Sequence, residues 1–143
     1  MLAYAALTLW TGVLYFRAVP HAFVYDDQPQ IVRNASIQTF PGTLDYFTRG
    51  VDFNPEFTGY GGQFYRPLFY LSLWADSALW GSHPSGFHTT NIVLHALNGI
   101  LVFLLAAEIF SETAALLCAL VWLTVPVHSE VVAWQRSRNR ERL

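Results

Sequence analysis

The stretch 87–110, FHTTNIVLHALNGILVFLLAAEIF, limits what this chain can fold into more than any other. At about 24 residues it can cross a bilayer as a helix, which takes roughly 20 predominantly apolar residues. Its first half is not uniformly apolar. His88, Asn91, His95 and Asn98 recur at spacings of three, four and three, which places them on a helix within an arc of roughly 80°. After Gly99 no polar side chain follows until Glu108. The helix thus has a wet stripe at its leading end and a dry trailing end. Polar groups inside a membrane are costly and usually face a bundle interior or a cavity, so the stripe marks a functional site or a seam of interhelical hydrogen bonds.

Composition agrees with a membrane setting. Hydrophobic residues make up 53% of the chain and charged residues 13%, about half the usual charged share of a soluble domain. The formal net charge of −2 gives no footprint for nucleic acid. All basic side chains are arginines, four of them grouped at the end as Arg136, Arg138, Arg140 and Arg142. One cysteine, Cys118, lies in an apolar run, so no disulfide framework exists.

Taken in order, the pattern predicts an all-α fold of multi-pass transmembrane helices with interfacial helices and a long polar loop. Residues 1–19 read as a first spanning segment. No basic residue precedes Arg17 to make a signal-peptide n-region, so the segment is expected to be retained. Pro20 ends it. Residues 20–66 form a long polar loop whose acidic pair, Asp26 and Asp27, follows directly on HAFVY. A short interfacial helix is expected at 43–47, after Pro41 and Gly42. The tripeptide Asn34-Ala35-Ser36 matches the N-glycosylation sequon, a pattern common by chance.

Pro67 suits the first position of a helix over 67–80. That helix would be roughly 21 Å long, too short to span, and Asp76 interrupts its apolar character. It is expected to lie at the interface, with Trp74 and Trp80 at headgroup level. Gly81, Ser82, Pro84 and Gly86 read as a break before the striped helix. A third spanning segment is expected at 112–127, ended by Pro126, then a helix over 128–143.

With three spanning helices, the Asp26/Asp27 loop, Tyr65 and Arg66, the His88 and Asn91 end of the striped helix, and His128 with Glu130 all fall on one membrane face. Carboxylates, an arginine and histidines at a membrane boundary suit acid–base chemistry on a phosphate-bearing substrate. The arginines near helix ends fall on that same face, which by the positive-inside rule would make it cytoplasmic. Charge alone leaves the orientation open.

FVYDD, IVRNASI, YRPLFYLSLWADSALWG, HPSGFHTTNIVLHALN and PVHSEVVAWQRSR occur here in an order that resembles the GT-C membrane glycosyltransferases. The likeness is to the O-mannosyltransferase-like branch, whose transmembrane segments are followed by tetratricopeptide repeats, and it runs from Phe23 to Arg138. The resemblance implies a membrane glycosyltransferase that moves a sugar, mannose in this branch, from a polyprenyl- or dolichyl-phosphate carrier to an acceptor-protein hydroxyl. It implies a lumenal or extracytoplasmic active face, in the endoplasmic reticulum or a bacterial inner membrane, and that implication outweighs the arginine count. Asp26 would be the general base, with Asp27 supporting it or helping to hold a divalent metal. Arg66 and His128 would take the phosphate, with Glu130 on the sugar or orienting His128, while Tyr65, His88 and Asn91 line the substrate cavity. The chain has no 34-residue helical repeat and fewer helices than the family. It reads as an N-terminal fragment that is inactive by itself. Two other classes fit the stripe: a membrane assembly or scaffold protein whose polar face is packing glue, and a histidine-based metal or haem protein. The second lacks any His-x-x-x-His or Cys-x-x-Cys pair.

Overall fold

Of the break expected before the striped helix, Gly81 and Ser82 do form a turn, but Pro84 and Gly86 belong to the first turn of the helix itself. In the computed structural model, which describes residues 2–24, 27–51 and 65–125, this helix (α4) runs Pro84–Ala107. Pro84 needs no N–H at the first helical position, so it opens the helix. Gly86 is absorbed inside it because a Cβ there would overlap the Trp80 side chain. The glycine permits a close approach and does not end the helix. The other helices are α1, Leu2–Tyr15; α2, Phe40–Arg49; α3, Pro67–Trp80; and α5, Glu112–Thr124. All regular structure among the described residues is helical.

The chain divides into two compact units. The first contains α1, α4 from His88 onward, and α5. Each end in this unit follows from a missing donor or a supplied cap. Pro20 cannot donate to the Phe16 carbonyl, so the Val19 N–H does so at 3.3 Å and the chain tightens into a 3-10 turn over Phe16–Ala18. Pro126 leaves the Trp122 carbonyl to the Val125 N–H in the same way, at 3.3 Å, and α5 ends at Thr124. Ser111 caps the start of α5 by accepting from the Ala114 N–H. Glu112 in the first turn complements the helix dipole.

The core of this unit is Leu7, Phe103, Ala115, Ala119 and Leu123. Ala115 and Ala119 are one turn apart and fully buried, and a Cβ at Gly99 would stand 2.7 Å from a Leu123 methyl carbon. Small residues thus let the helices approach closely, as in membrane bundles. Larger apolar side chains point away from this core: Leu9, Val13, Leu97, Leu101, Leu105, Leu117 and Val121 are exposed. Among the described residues α4 is the one helix long and apolar enough to cross a membrane. The 14 residues of α1 and the 13 of α5 stop short of that.

The second unit, Ala22–Phe87, packs α2, α3 and two short turns, a π-type turn over Gln28–Val32 and a 3-10 turn over Ala35–Gln38. Its core joins Ile31, Ile37, Tyr46, Val51, Tyr70, Leu73 and Phe87, with Phe23 packed against them. The helix expected at 43–47 is longer in the structure. Thr39 caps it by accepting from the Gly42 N–H at 3.2 Å, and Pro41 is tolerated in a first turn whose N–H groups have no intrahelical partners. Helix α3 ends on Gly81, whose φ of 63° is a left-handed conformation that costs glycine nothing.

Asn34 shows how this unit is held. It is 1% exposed, and its amide donates to the Gln30 carbonyl at 3.0 Å and to the Tyr46 hydroxyl at 2.9 Å. Its oxygen accepts from the Ser36 N–H and from Tyr46. The sequon is therefore enclosed in the fold, with its acceptor nitrogen committed to two hydrogen bonds.

Candidate functional site

Asp26, His128 and Glu130 lie outside the described residues. The other expected site residues divide between the two units, with Asp27, Tyr65 and Arg66 in the second and His88 and Asn91 in the first.

Asp27 is tied to the segment just before it. Its carboxylate oxygen Oδ2 accepts from the Val24 N–H at 3.0 Å, and its own N–H donates to the Val24 carbonyl at 2.9 Å. The next residue, Gln28, sends its side-chain amide back to the Phe23 carbonyl at 3.2 Å. Phe23 meets Phe87 edge to face, with ring centroids 5.2 Å apart. The acidic stretch is thereby fastened to the core of its unit.

Tyr65 and Arg66 lead into α3. The exposed Tyr65 ring directs its hydroxyl to the Phe47 carbonyl at 3.0 Å, satisfying one of the last carbonyls of α2. Arg66 is exposed at the N-cap of α3, where its carbonyl accepts from the Tyr70 N–H at 3.3 Å. One turn on, Tyr70 stacks on Tyr46 with centroids 3.7 Å apart and planes within 6°. Burial pushes the Tyr70 phenol well above its ordinary value, and neighbouring Tyr46 adds to the shift. The Arg66 charge pulls the other way. A sequence scan for titratable or glycosylated motifs does not register Asn34 and Tyr46 as a pair. The signal lies in three-dimensional packing across 12 positions of sequence.

On α4 the polar stripe separates by depth and by face. The Nε2 atom of His88 is buried with no hydrogen-bond partner among the described residues. Such an atom is an exception in folded proteins. Asn91 is half-buried. His95 is 6% exposed, and its Nε2 lies 3.3 Å from the Leu123 carbonyl oxygen. A carbonyl only accepts, so Nε2 carries the proton. The Tyr15 hydroxyl donates to the same oxygen at 3.1 Å. Leu123 is in the last turn of α5, where helix carbonyls lack internal partners, so these side chains fill a vacancy left by the helix end. His95 is further enclosed by the Tyr15 ring edge and the Trp122 face, each at 5.2 Å. It is interhelical glue. Asn98 is exposed, so packing within this unit accounts for His95 and not for Asn98.

Sequences of known proteins place this arrangement. The mouse (Mus musculus) protein O-mannosyl-transferase TMTC1 is 34% identical over 127 residues, covering 83% of this chain and 13% of its own length. Drosophila melanogaster protein O-mannosyl-transferase Tmtc1 is 32% identical over 123 residues, covering 85% of this chain and 14% of its own. Human TMTC4, likewise named a protein O-mannosyl-transferase, is 29% identical over 136 residues, covering 85% and 18%. Over this segment the chain is a homologue of the TMTC protein O-mannosyl-transferases. It spans less than a fifth of the length of these relatives. No family model matches it, and no solved structure does.

The family likeness bears on the acidic pair. No group of three or more His, Cys, Asp or Glu side chains among the described residues could hold a metal ion. Asp27 already accepts a backbone hydrogen bond on Oδ2.

Proposed function

We propose that this TMTC-family chain is the acidic-loop part of a GT-C membrane O-mannosyltransferase, taking mannose from a polyprenyl- or dolichyl-phosphate carrier and passing it to a serine or threonine hydroxyl of a protein. The observation that carries the reading is the sequence likeness over 83% of the chain to proteins named O-mannosyl-transferases. A membrane setting is supported by the length and outward apolar surface of α4, and the proposal adds to it a multi-pass arrangement with the loop on the lumenal or extracytoplasmic side.

In this reading the Asp26 carboxylate removes the proton from the acceptor hydroxyl. The freed oxygen attacks the anomeric carbon, and the bond from that carbon to the carrier phosphate breaks with its electron pair going to the phosphate oxygen. Configuration at the sugar inverts. Arg66, exposed at the head of α3, and His128 meet the phosphate charge. Arginine suits this task because its planar fork offers paired donors. Glu130 orients His128 or meets the sugar, and Tyr65 sets the backbone that carries Arg66. His88 Nε2, buried with no hydrogen-bond partner among the described residues, supports a cavity-wall role for His88, since a bound polar group would satisfy it. Asn91, one turn deeper, lines the same wall.

The test is Asp26→Asn in the full-length protein, assayed in membranes with dolichyl-phosphate-mannose and a serine/threonine peptide. Transfer is expected to fall by a factor on the order of 100 or more, the usual contribution of a positioned base. Undiminished transfer by a correctly folded variant rules out Asp26 as base. Loss of folding in place of transfer moves the segment to a scaffold role.

A further inference from the structure

The acidic pair is not two equivalent carboxylates. We propose that Asp27 is a positioning residue, whose carboxylate latches onto the Val24 backbone next to Asp26 in sequence and serves as neither base nor metal ligand. The inference rests on the transferase reading above and assigns a division of labour within it.

The latch is closed twice between the same two residues. Val24 donates its N–H to Asp27 Oδ2 at 3.0 Å, and Asp27 donates its N–H to the Val24 carbonyl at 2.9 Å. Residues 25 and 26 are the links between these partners in the chain. A third bond, from the Gln28 side-chain amide to the Phe23 carbonyl at 3.2 Å, spans the same stretch one residue further out on each side. Phe23 packs against Phe87 and the core of its unit, and Ile31 in the following turn is part of that core. Phe23 and Ile31, on either side of this latch in sequence, are therefore both tied to the core of the unit. A side-chain oxygen that accepts a backbone N–H three residues back in the chain holds the intervening backbone locally. Positioning of this kind matters because displacing a reacting group by about 1 Å costs on the order of 100-fold in rate. The carboxylate acts here through an acceptor oxygen, which an asparagine also possesses. Charge and metal binding are not needed for it.

Asp27→Asn and Asp27→Ala, made in the full-length protein, separate the roles. Transfer kinetics with dolichyl-phosphate-mannose are measured beside hydrogen exchange at the Val24 amide. Asp27→Ala is expected to accelerate Val24 exchange about tenfold. It should also lower kcat by roughly 100-fold with little change in KM. Asp27→Asn is expected to recover most of both losses. Two results overturn the proposal. One is an Asp27→Asn enzyme as slow as Asp27→Ala while its Val24 amide stays protected, because charge is then what matters. The other is unchanged Val24 exchange in Asp27→Ala, because no latch then exists. Asp26→Asn is run in parallel. Full activity there removes the base reading, and the Val24 exchange rates still decide whether Asp27 latches onto Val24.

Discussion

The two units of this chain solve the packing problem by opposite means. The unit of α1, α4 and α5 sets alanine and glycine beside Leu7, Phe103 and Leu123 in its core, and leaves many leucines and valines on the outside. The Ala22–Phe87 unit buries large aromatics and stitches them with a satisfied polar network around Asn34 and Tyr46. In a bilayer the first strategy is the economical one. Lipid is as apolar as leucine, so helices gain from close backbone approach and not from hiding large side chains. A segment facing water gains from burying large rings, provided every enclosed polar atom finds a partner. The difference predicts that equivalent substitutions act by different mechanisms in each unit.

The largest contrast is expected from Tyr46→Ala. Tyr46 is 1% exposed, stacked on Tyr70 and bonded to Asn34. Its loss should cost about 3–5 kcal/mol. Segment-resolved hydrogen exchange should show the cost confined to Ala22–Phe87, with α5 and the part of α4 from His88 onward protected as before. Equal loss of protection in α5 breaks the distinction between the units. Next comes Gly99→Val, which forces a side chain against Leu123 and should cost about 1–3 kcal/mol by overpacking. Here the loss of protection should fall on α4 and α5.

A pH titration sharpens the comparison. The Tyr70 phenol ionises above its ordinary value of 10.0 in the folded state, chiefly because it is buried. At pH values above that ordinary value the unfolded chain gives up this proton while the folded chain retains it, so stability declines as pH rises. Tyrosinate absorbance and loss of structure in Ala22–Phe87 should emerge together, and Tyr70→Phe should delay that loss. His95→Leu is expected to cost about 1 kcal/mol, because the Leu123 carbonyl keeps its bond from Tyr15. The smallest effect concerns Asn34. Treating the protein expressed in eukaryotic cells with an N-glycosidase should leave its gel mobility unchanged, since the sequon is enclosed.

Punctuation residues were the most legible part of the fold. Pro67 and Gly81 bracket α3 in the sequence as in the structure, because one lacks a donor that the first turn does not need and the other accepts a left-handed backbone. Pro41, Gly42, Pro84 and Gly86 mislead for the same reason reversed. Each resembles a breaker, yet a first turn tolerates proline, and a glycine inside a helix answers to whatever packs on it. For Gly86 that is Trp80. The polar stripe of α4 was legible as a stripe, but not in its division. Spacing puts His88, Asn91, His95 and Asn98 on one arc, and nothing in that spacing says that α5 ends where the Leu123 carbonyl can meet His95.

What the sequence determined by itself is local. It set the helical class and the apolar span of α4, and its order of motifs marked a glycosyltransferase-like family that the TMTC relatives share. These follow from periodicity, backbone chemistry and homologous residues, each of which is written along the chain. Tertiary structure decided the partners. It enclosed Asn34, made His95 a clamp on a helix end, left His88 Nε2 without a partner among the described residues, and committed one oxygen of Asp27 to Val24. A polar side chain's role depends on which donor or acceptor stands within about 3 Å of it. That is settled when distant segments pack, not by the residues that flank it in sequence.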